Sequence, residues 1–272
     1  MSSKPVLLPT LMKEKVWGSK HLLPWYPDAG VKIGEVWFTC EEPLPILVKF
    51  LFTTEALSVQ VHPSDEFAAR YENNSPGKTE MWHVLRAEKG ARIALGFKET
   101  IAKERLRESA LTGEIEELLN WIEVSPGDTY FTPAGTVHAI GAGIVLCEIQ
   151  QQSDVTYRLY DYGRPRPLQL EKAIQVSNRE AYLGAIDPVD LGNGRQLLAE
   201  CPYFRTEAMH VRAAQEYAPD ADRLHLLIVL SGTGELAGMP YARGQCWLVP
   251  AGGEGFAIAP RGETEMLRTW VP

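Results

Sequence analysis

The chain has 272 residues, of which 45% are hydrophobic and 23% charged, and a formal net charge of −8. That is enough chain for a substantial core in one large or two small domains. It is too acidic for a general nucleic-acid binder, which needs a basic field against phosphate. No apolar run is long enough for a membrane span, and the N-terminus lacks a sustained apolar core of the secretory type. Cys40, Cys147, Cys201 and Cys246 are far apart, with no C-x-x-C pair. Free thiols and a reducing cytoplasm are therefore expected.

In chain order, the predicted elements are mostly strands. Short apolar runs rich in β-branched and aromatic residues occur at 46–52, 58–62, 81–85, 92–97, 144–150, 224–230 and 246–249. The 23 glycines and 19 prolines supply the turns between them. Two stretches read as helical. Residues 64–72 begin with Ser64 as an N-cap and carry acids in the first turn. Residues 98–120 place Ile101, Leu106, Ile115, Leu118 and Leu119 among charges, with Gly113 dividing two short helices. The expected fold is mainly β, of sandwich or jelly-roll type, with a short helical insertion in the first half.

A short internal repeat supports two related β-domains. Gly127-Asp-Thr-Tyr-Phe-Thr-Pro-Ala-Gly135 aligns with Gly244-Gln-Cys-Trp-Leu-Val-Pro-Ala-Gly252, and an apolar strand run precedes each copy. The expected domains are 1–180 and 190–272. The linker falls within 177–193, where Gly184, Pro188, Gly192 and Gly194 cluster.

Chemistry-bearing residues concentrate in the first copy. Gln60 and His62 are two apart on a strand and so share one face. Glu80 opens an apolar run, where an unpartnered carboxylate would be costly, so a metal, Lys78 or solvent must satisfy it. His138 follows the Pro-Ala-Gly turn. Together Gln60, His62, Glu80 and His138 would make a mixed N/O site suited to Zn²⁺, with Fe²⁺ or Mn²⁺ as alternatives. In the second copy Gly255 stands at the His138 offset, and nothing like Gln-x-His precedes its strand run. The second domain is then expected to be metal-free scaffold or lid. Arg158, Arg164, Arg166 and Lys172 form a basic segment, either solvated or an anion site. Trp82 shares parity with Glu80 and is expected to line the cavity. His83 points to the opposite face, and His21, His210 and His225 lack partner ligands, so all four are expected to be structural.

At these residues the sequence resembles the type I mannose-6-phosphate isomerases in their short bacterial form. Leu57-Ser-Val-Gln-Val-His-Pro-Ser-Asp65, Gly77-Lys-Thr-Glu-Met-Trp82 and Pro133-Ala-Gly-Thr-Val-His138 resemble the family's metal-binding segments. The stretch from Glu148-Ile-Gln-Gln through Ser153-Asp154 to Tyr157-Arg-Leu-Tyr-Asp-Tyr162 resembles the one bearing its active-site arginine. Trp17-Gly18, Gly34-Glu-Val-Trp37 and Leu47-Val-Lys-Phe50 also fit; the match spans about residues 14–175, and the C-terminal third matches loosely. The resemblance implies two cupin-type jelly rolls and one Zn²⁺ on Gln60, His62, Glu80 and His138. It also implies an active-site Arg158, with Lys78, Glu148 and Asp154 near the substrate. The implied reaction interconverts mannose 6-phosphate and fructose 6-phosphate, in a monomer or homodimer. Glu148, Asp154 and metal-bound hydroxide are alternative bases. Phosphate would fall to some of Lys78, Arg158, Arg164 and Lys172, and the 98–120 insertion would be a reduced cover over the site. Two other readings stay open: a non-catalytic sugar-phosphate-binding regulator, and a cupin enzyme acting on another phosphosugar or on oxygen.

Overall fold

The computed structural model describes residues 3–182 and 187–272, so Gly184 of the expected linker lies outside the described residues. The fold is mainly β, built as two jelly-roll sandwiches. A six-stranded and a five-stranded antiparallel sheet form the first; a seven-stranded and a four-stranded sheet form the second. The expected strand runs are all strands, among them Ile46–Phe52, Glu80–Ala87, Ile144–Gln151, His225–Ser231 and Cys246–Val249.

Side-chain parity explains the arrangement. In Ile46–Phe52 every residue is buried, because both faces are covered. Ile46, Val48, Phe50 and Phe52 face the second sandwich, packing with Leu226, Ile228, Cys246 and Leu267 of the seven-stranded sheet. Leu51 points the other way, into the first sandwich, with Trp82, Val84 and Leu146. Lys49 shares that inward parity. The two sandwiches therefore stand back to back on one continuous apolar core. Phe50 sits at its centre, in edge-on contact with Trp25, Tyr26 and Phe38 at centroid distances of 6.4, 6.2 and 5.7 Å.

Helix Asp65–Tyr71 begins where expected, with the Ser64 hydroxyl accepting from the Phe67 N–H. Helices Lys103–Thr112 and Ile115–Leu118 are parted by Gly113, whose φ of +87° is left-handed. Their apolar faces meet Val59, Val61, Ala139 and Leu159 on the outer face of the five-stranded sheet. Gln60 alternates with Val59 and Val61, so it points to the other side. The insertion therefore backs the sheet from behind, and does not cover the site as expected. A further helix, Leu170–Val176, was not anticipated. It buries Ala173 and Ile174 in the same outer cluster, a stripe too short to stand out among Arg164, Arg166 and Lys172.

The N-terminal segment joins both sandwiches. Val6–Leu7 pairs with Leu248 and Trp247 at the edge of the seven-stranded sheet. Three residues later Thr10–Ser19 becomes the edge of the six-stranded sheet.

Truncating Phe50 to Ala should cost about 3–5 kcal/mol, because the cavity opens between two packed sheets that cannot collapse independently. Leu111→Ala, on a side chain 66% exposed, should change stability by less than about 0.5 kcal/mol. Urea denaturation midpoints check both.

Candidate active site

The inner face of the five-stranded sheet sets one wall. Arg158 and His138 each pair with Gln60 in cross-strand register, so the three side chains form a row. The inner face of the six-stranded sheet sets the other. There Lys49 pairs with Glu148, Glu148 with Trp82, and Gln150 with Glu80. Two residues apart on their strands, Glu80 and Trp82 share a face, as do Glu148 and Gln150.

His62, Glu80 and His138 converge, with ligand atoms within 4.8 Å of one another and all three residues buried. Glu80 Oε2 lies 3.5 Å from His62 Nε2, and Oε1 lies 3.4 Å from His138 Nε2. Each ring donates its Nδ1–H to a backbone carbonyl, His62 to Val155 and His138 to Thr136, both at 2.9 Å. That fixes the tautomers and turns both Nε2 lone pairs toward Glu80. Burial disfavours protonation of the rings: His62 is pushed down to about 3, with Lys78 adding to the effect, and His138 is lowered too. Two neutral imidazoles and a carboxylate thus aim acceptors at one point. The Gln60 amide stands beside them, its Nε2 3.2 Å from His138 Nε2; a half-turn would present its oxygen. This donor set fits a divalent cation. Here the positive charge among the acceptors is Lys78, whose Nζ lies 3.0 Å from Glu80 Oε2 and 3.2 Å from His62 Nε2.

The charges continue outward with alternating sign. Lys78 Nζ is 3.6 Å from Glu148, Glu148 is 3.1 Å from Lys49, Lys49 is 3.9 Å from Glu35, and Glu35 is 3.1 Å from Lys15. Lys49 and Lys15, with the Trp37 indole N–H, pull Glu35 down to about 2 despite its burial. Glu148 goes the other way: desolvation raises it to about 7 against the pull of Lys49 and Lys78, with Glu80 adding repulsion. Glu80 is held well below the carboxylate range, because Lys78 and the imidazoles outweigh its burial.

These groups line a cavity of about 230 Å³, which Asp154, Arg158 and Arg166 also reach. Arg158 has no carboxylate within 4 Å among the described residues, and its Nε is buried without a partner. Arg166 is doubly bonded to Asp161, at 2.6 Å for each contact.

The segment carrying Lys78 is pinned at three consecutive amides. Gly77 N–H donates to Asp65 Oδ1 at 2.7 Å, Lys78 N–H to the Pro63 carbonyl at 3.0 Å, and Thr79 N–H to Gln151 Oε1 at 2.8 Å.

All eight expected site residues thus meet around one region: Gln60, His62, Lys78, Glu80, His138, Glu148, Asp154 and Arg158. Two of the suggested phosphate groups do not. Arg164 turns to the Ala56 carbonyl and Asp161, and Lys172 bonds Glu72 at 2.5 Å, outside the cavity. Trp82 has the expected parity, but its ring packs edge-on against His138 at 5.3 Å and does not line the cavity. Lys15, Glu35 and Lys49 were missed as site residues. A lysine inside the apolar run 46–52 was the available signal, since a buried ammonium demands carboxylates nearby.

No family model matches the chain. Similar proteins are known by sequence and by structure. The mannose-6-phosphate isomerase ManA of Bacillus subtilis is 32% identical, over 93% of this chain and 95% of its own. The mannose-6-phosphate isomerase of Streptococcus mutans is 32% identical, over 86% of this chain and 87% of its own. The crystal structure of the mannose 6-phosphate isomerase from Bacillus subtilis superposes with a TM-score of 0.89 and 28% identity, covering 98% of this chain and 99% of that one.

A pH test follows from Glu148. Its folded value of about 7 lies above its ordinary 4.5, so the folded state holds the extra proton between them. Stability from this group is full below pH 4.5 and is lost as pH rises toward 7. In metal-free protein, Glu148→Gln should remove that decline. Urea denaturation across the window should show the variant gaining on the wild type as pH rises; parallel profiles would contradict the assignment.

Proposed function

The chain belongs to the mannose-6-phosphate isomerase family, and we propose that it interconverts mannose 6-phosphate and fructose 6-phosphate at the cavity just described. The main support is a cation-type donor cluster at His62, Glu80 and His138 that reaches, through Glu80 and Gln60, the same cavity as the unpartnered guanidinium Nε of Arg158. A phosphosugar needs both: charge against its phosphate, and an electrophile at its carbonyl end.

Residues 1–180 form the catalytic domain in this reading and residues 190–272 the second domain. The enzyme acts in the cytoplasm as a monomer or homodimer. Arg158 binds the phosphate, with Arg166 beside it. The aldehyde end lies between Lys78 and Glu148. Glu148 takes the proton from C2 of the open-chain aldose and returns it to C1, while the O2 proton passes to O1, giving the ketose. Its raised proton affinity suits a group that must both accept and release a proton near neutrality. Lys78 faces the enediolate oxygens with its ammonium, and Asp154 receives sugar hydroxyls at the mouth. Zn²⁺, or Fe²⁺ or Mn²⁺ in its place, held by His62, Glu80, His138 and the oxygen of Gln60, supplies Lewis-acid stabilisation of the developing negative charge.

Turnover of mannose 6-phosphate should be measured by a coupled fructose 6-phosphate assay, as purified, after chelation and after Zn²⁺ return. Activity should fall on chelation and recover with Zn²⁺. His62→Ala and His138→Ala should lose metal and activity together. Arg158→Ala should keep its metal and lose at least about 100-fold in kcat/KM, about 2.7 kcal/mol. No turnover by folded, metal-loaded protein would reject the reaction.

A further inference from the structure

The two large sheets agree residue by residue in their pairing. In the first sandwich, Glu35 pairs with Leu51, Lys49 with Glu148, Glu148 with Trp82, and Trp82 with Tyr130. In the second, Arg195 pairs with Met209, Glu207 with Arg268, Arg268 with Leu227, and Leu227 with Trp247. Tyr130 and Trp247 hold the same place in the repeat of 127–135 and 244–252. The equivalences are therefore Glu35 with Arg195, Lys49 with Glu207, and Glu148 with Arg268. Every charge in the chain Glu35–Lys49–Glu148 has changed sign. The inverted chain is intact: Glu207 lies 3.6 Å from Arg195 and 2.8 Å from Arg268.

The inverted chain opens on a cavity of about 200 Å³, lined among others by Arg195, Arg268, Tyr217 and Gln215. One buried carboxylate cannot neutralise both guanidinium groups. Arg205 adds a third, 3.3 Å from Glu207, but it also has Glu200 at 2.9 Å. The Arg195 guanidinium makes no hydrogen bond among the described residues, and its contact with Glu207 is too long for one. The buried Nε of Arg268 likewise has no partner. Where Glu80 stands in the first sandwich, the second has His225, bonded to the Tyr217 hydroxyl at 2.6 Å. Burial and Arg268 push that imidazole down to about 4, so it is neutral at physiological pH. At the rim, Glu216 is exposed and His210 is paired with Glu265.

We propose that this cavity of the second sandwich is a binding site for a phosphate-type oxyanion, held by Arg195 and Arg268 with the polar groups of Tyr217 and Gln215. Glu207 and the rim Glu216 balance Arg195 and Arg268 in charge, so it is the unfilled guanidinium donors facing the cavity that match such an ion. A cavity of about 200 Å³ has room for it and for waters of about 30 Å³ each.

Equilibrium dialysis with radiolabelled inorganic phosphate tests this in the full-length protein. Arg195 is half-exposed and outside the catalytic cavity, so Arg195→Ala should fold and turn over mannose 6-phosphate normally. It should bind one phosphate fewer per chain than its parent, or bind it at least tenfold more weakly. The same difference is expected in an Arg158→Ala background, which separates this site from any phosphate held at the catalytic cavity. Arg195→Lys should restore part of the binding. A parallel arm with glycerol 3-phosphate identifies the source: at least tenfold tighter binding marks an esterified phosphate, and equal or weaker binding marks the free ion. Identical phosphate binding with and without Arg195, in both backgrounds, would overturn the proposal.

Discussion

Six charges alternate in sign across the first sandwich, from Lys15 through Glu35, Lys49, Glu148 and Lys78 to Glu80. All but Lys15 are buried. Each would be expensive to desolvate alone, and each is tolerable because every neighbour it has in the chain carries the opposite charge. Alternation also makes the members interdependent: neutralising one leaves its neighbours facing unpaired charge in a low-dielectric interior. The proton held near neutral pH at Glu148 and the proton excluded from Glu80 follow from their places in this sequence of charges.

Such a chain needs a rigid support, and the sheet that bears it has one. The strand that presents Lys49 inward presents Phe50 and Val48 outward, into the core shared with the second sandwich. Sandwiching the sheet restricts how far its strands can shift, so the charges keep their spacing. The second sandwich thus acts on the site mechanically, through apolar packing on the opposite face. Lys78 is placed differently, by hydrogen bonds that the loop's backbone N–H groups donate to oxygens of Asp65, Pro63 and Gln151. Sheet packing and loop pinning together set a site assembled from distant parts of the chain.

Much of this was legible in the residues. Strand runs, the Ser64 cap and the Gly113 break are local signals, and they were read correctly. Gln60, His62, Glu80 and His138 could be grouped because strand parity and turn position constrain their direction. Lys49 could not be assigned a face, since Ile46–Phe52 is apolar on both sides and shows no alternation. Glu35 becomes informative only once register sets it beside Lys49. The repeat was visible in its turns, but the sign inversion was not, because Arg195, Glu207 and Arg268 are far apart in sequence and meet only through pairing. Arg164 and Lys172 misled because basic composition does not reveal which carboxylates or carbonyls lie within reach.

The opening strand has a bearing on synthesis. Val6 and Leu7 find their partners in Leu248 and Trp247, about 240 residues further along the chain. As the polypeptide leaves the ribosome, this strand must wait until Trp247 and Leu248 have emerged. The sheets of the first sandwich can form earlier, but this seam closes late, at the loop-closure cost of a very distant contact. Until then the nascent chain carries an unpaired strand at Val6–Leu7, whereas a chain lacking that strand would leave Cys246–Val249 as an open sheet edge; either is the kind of surface that recruits chaperones or neighbouring chains.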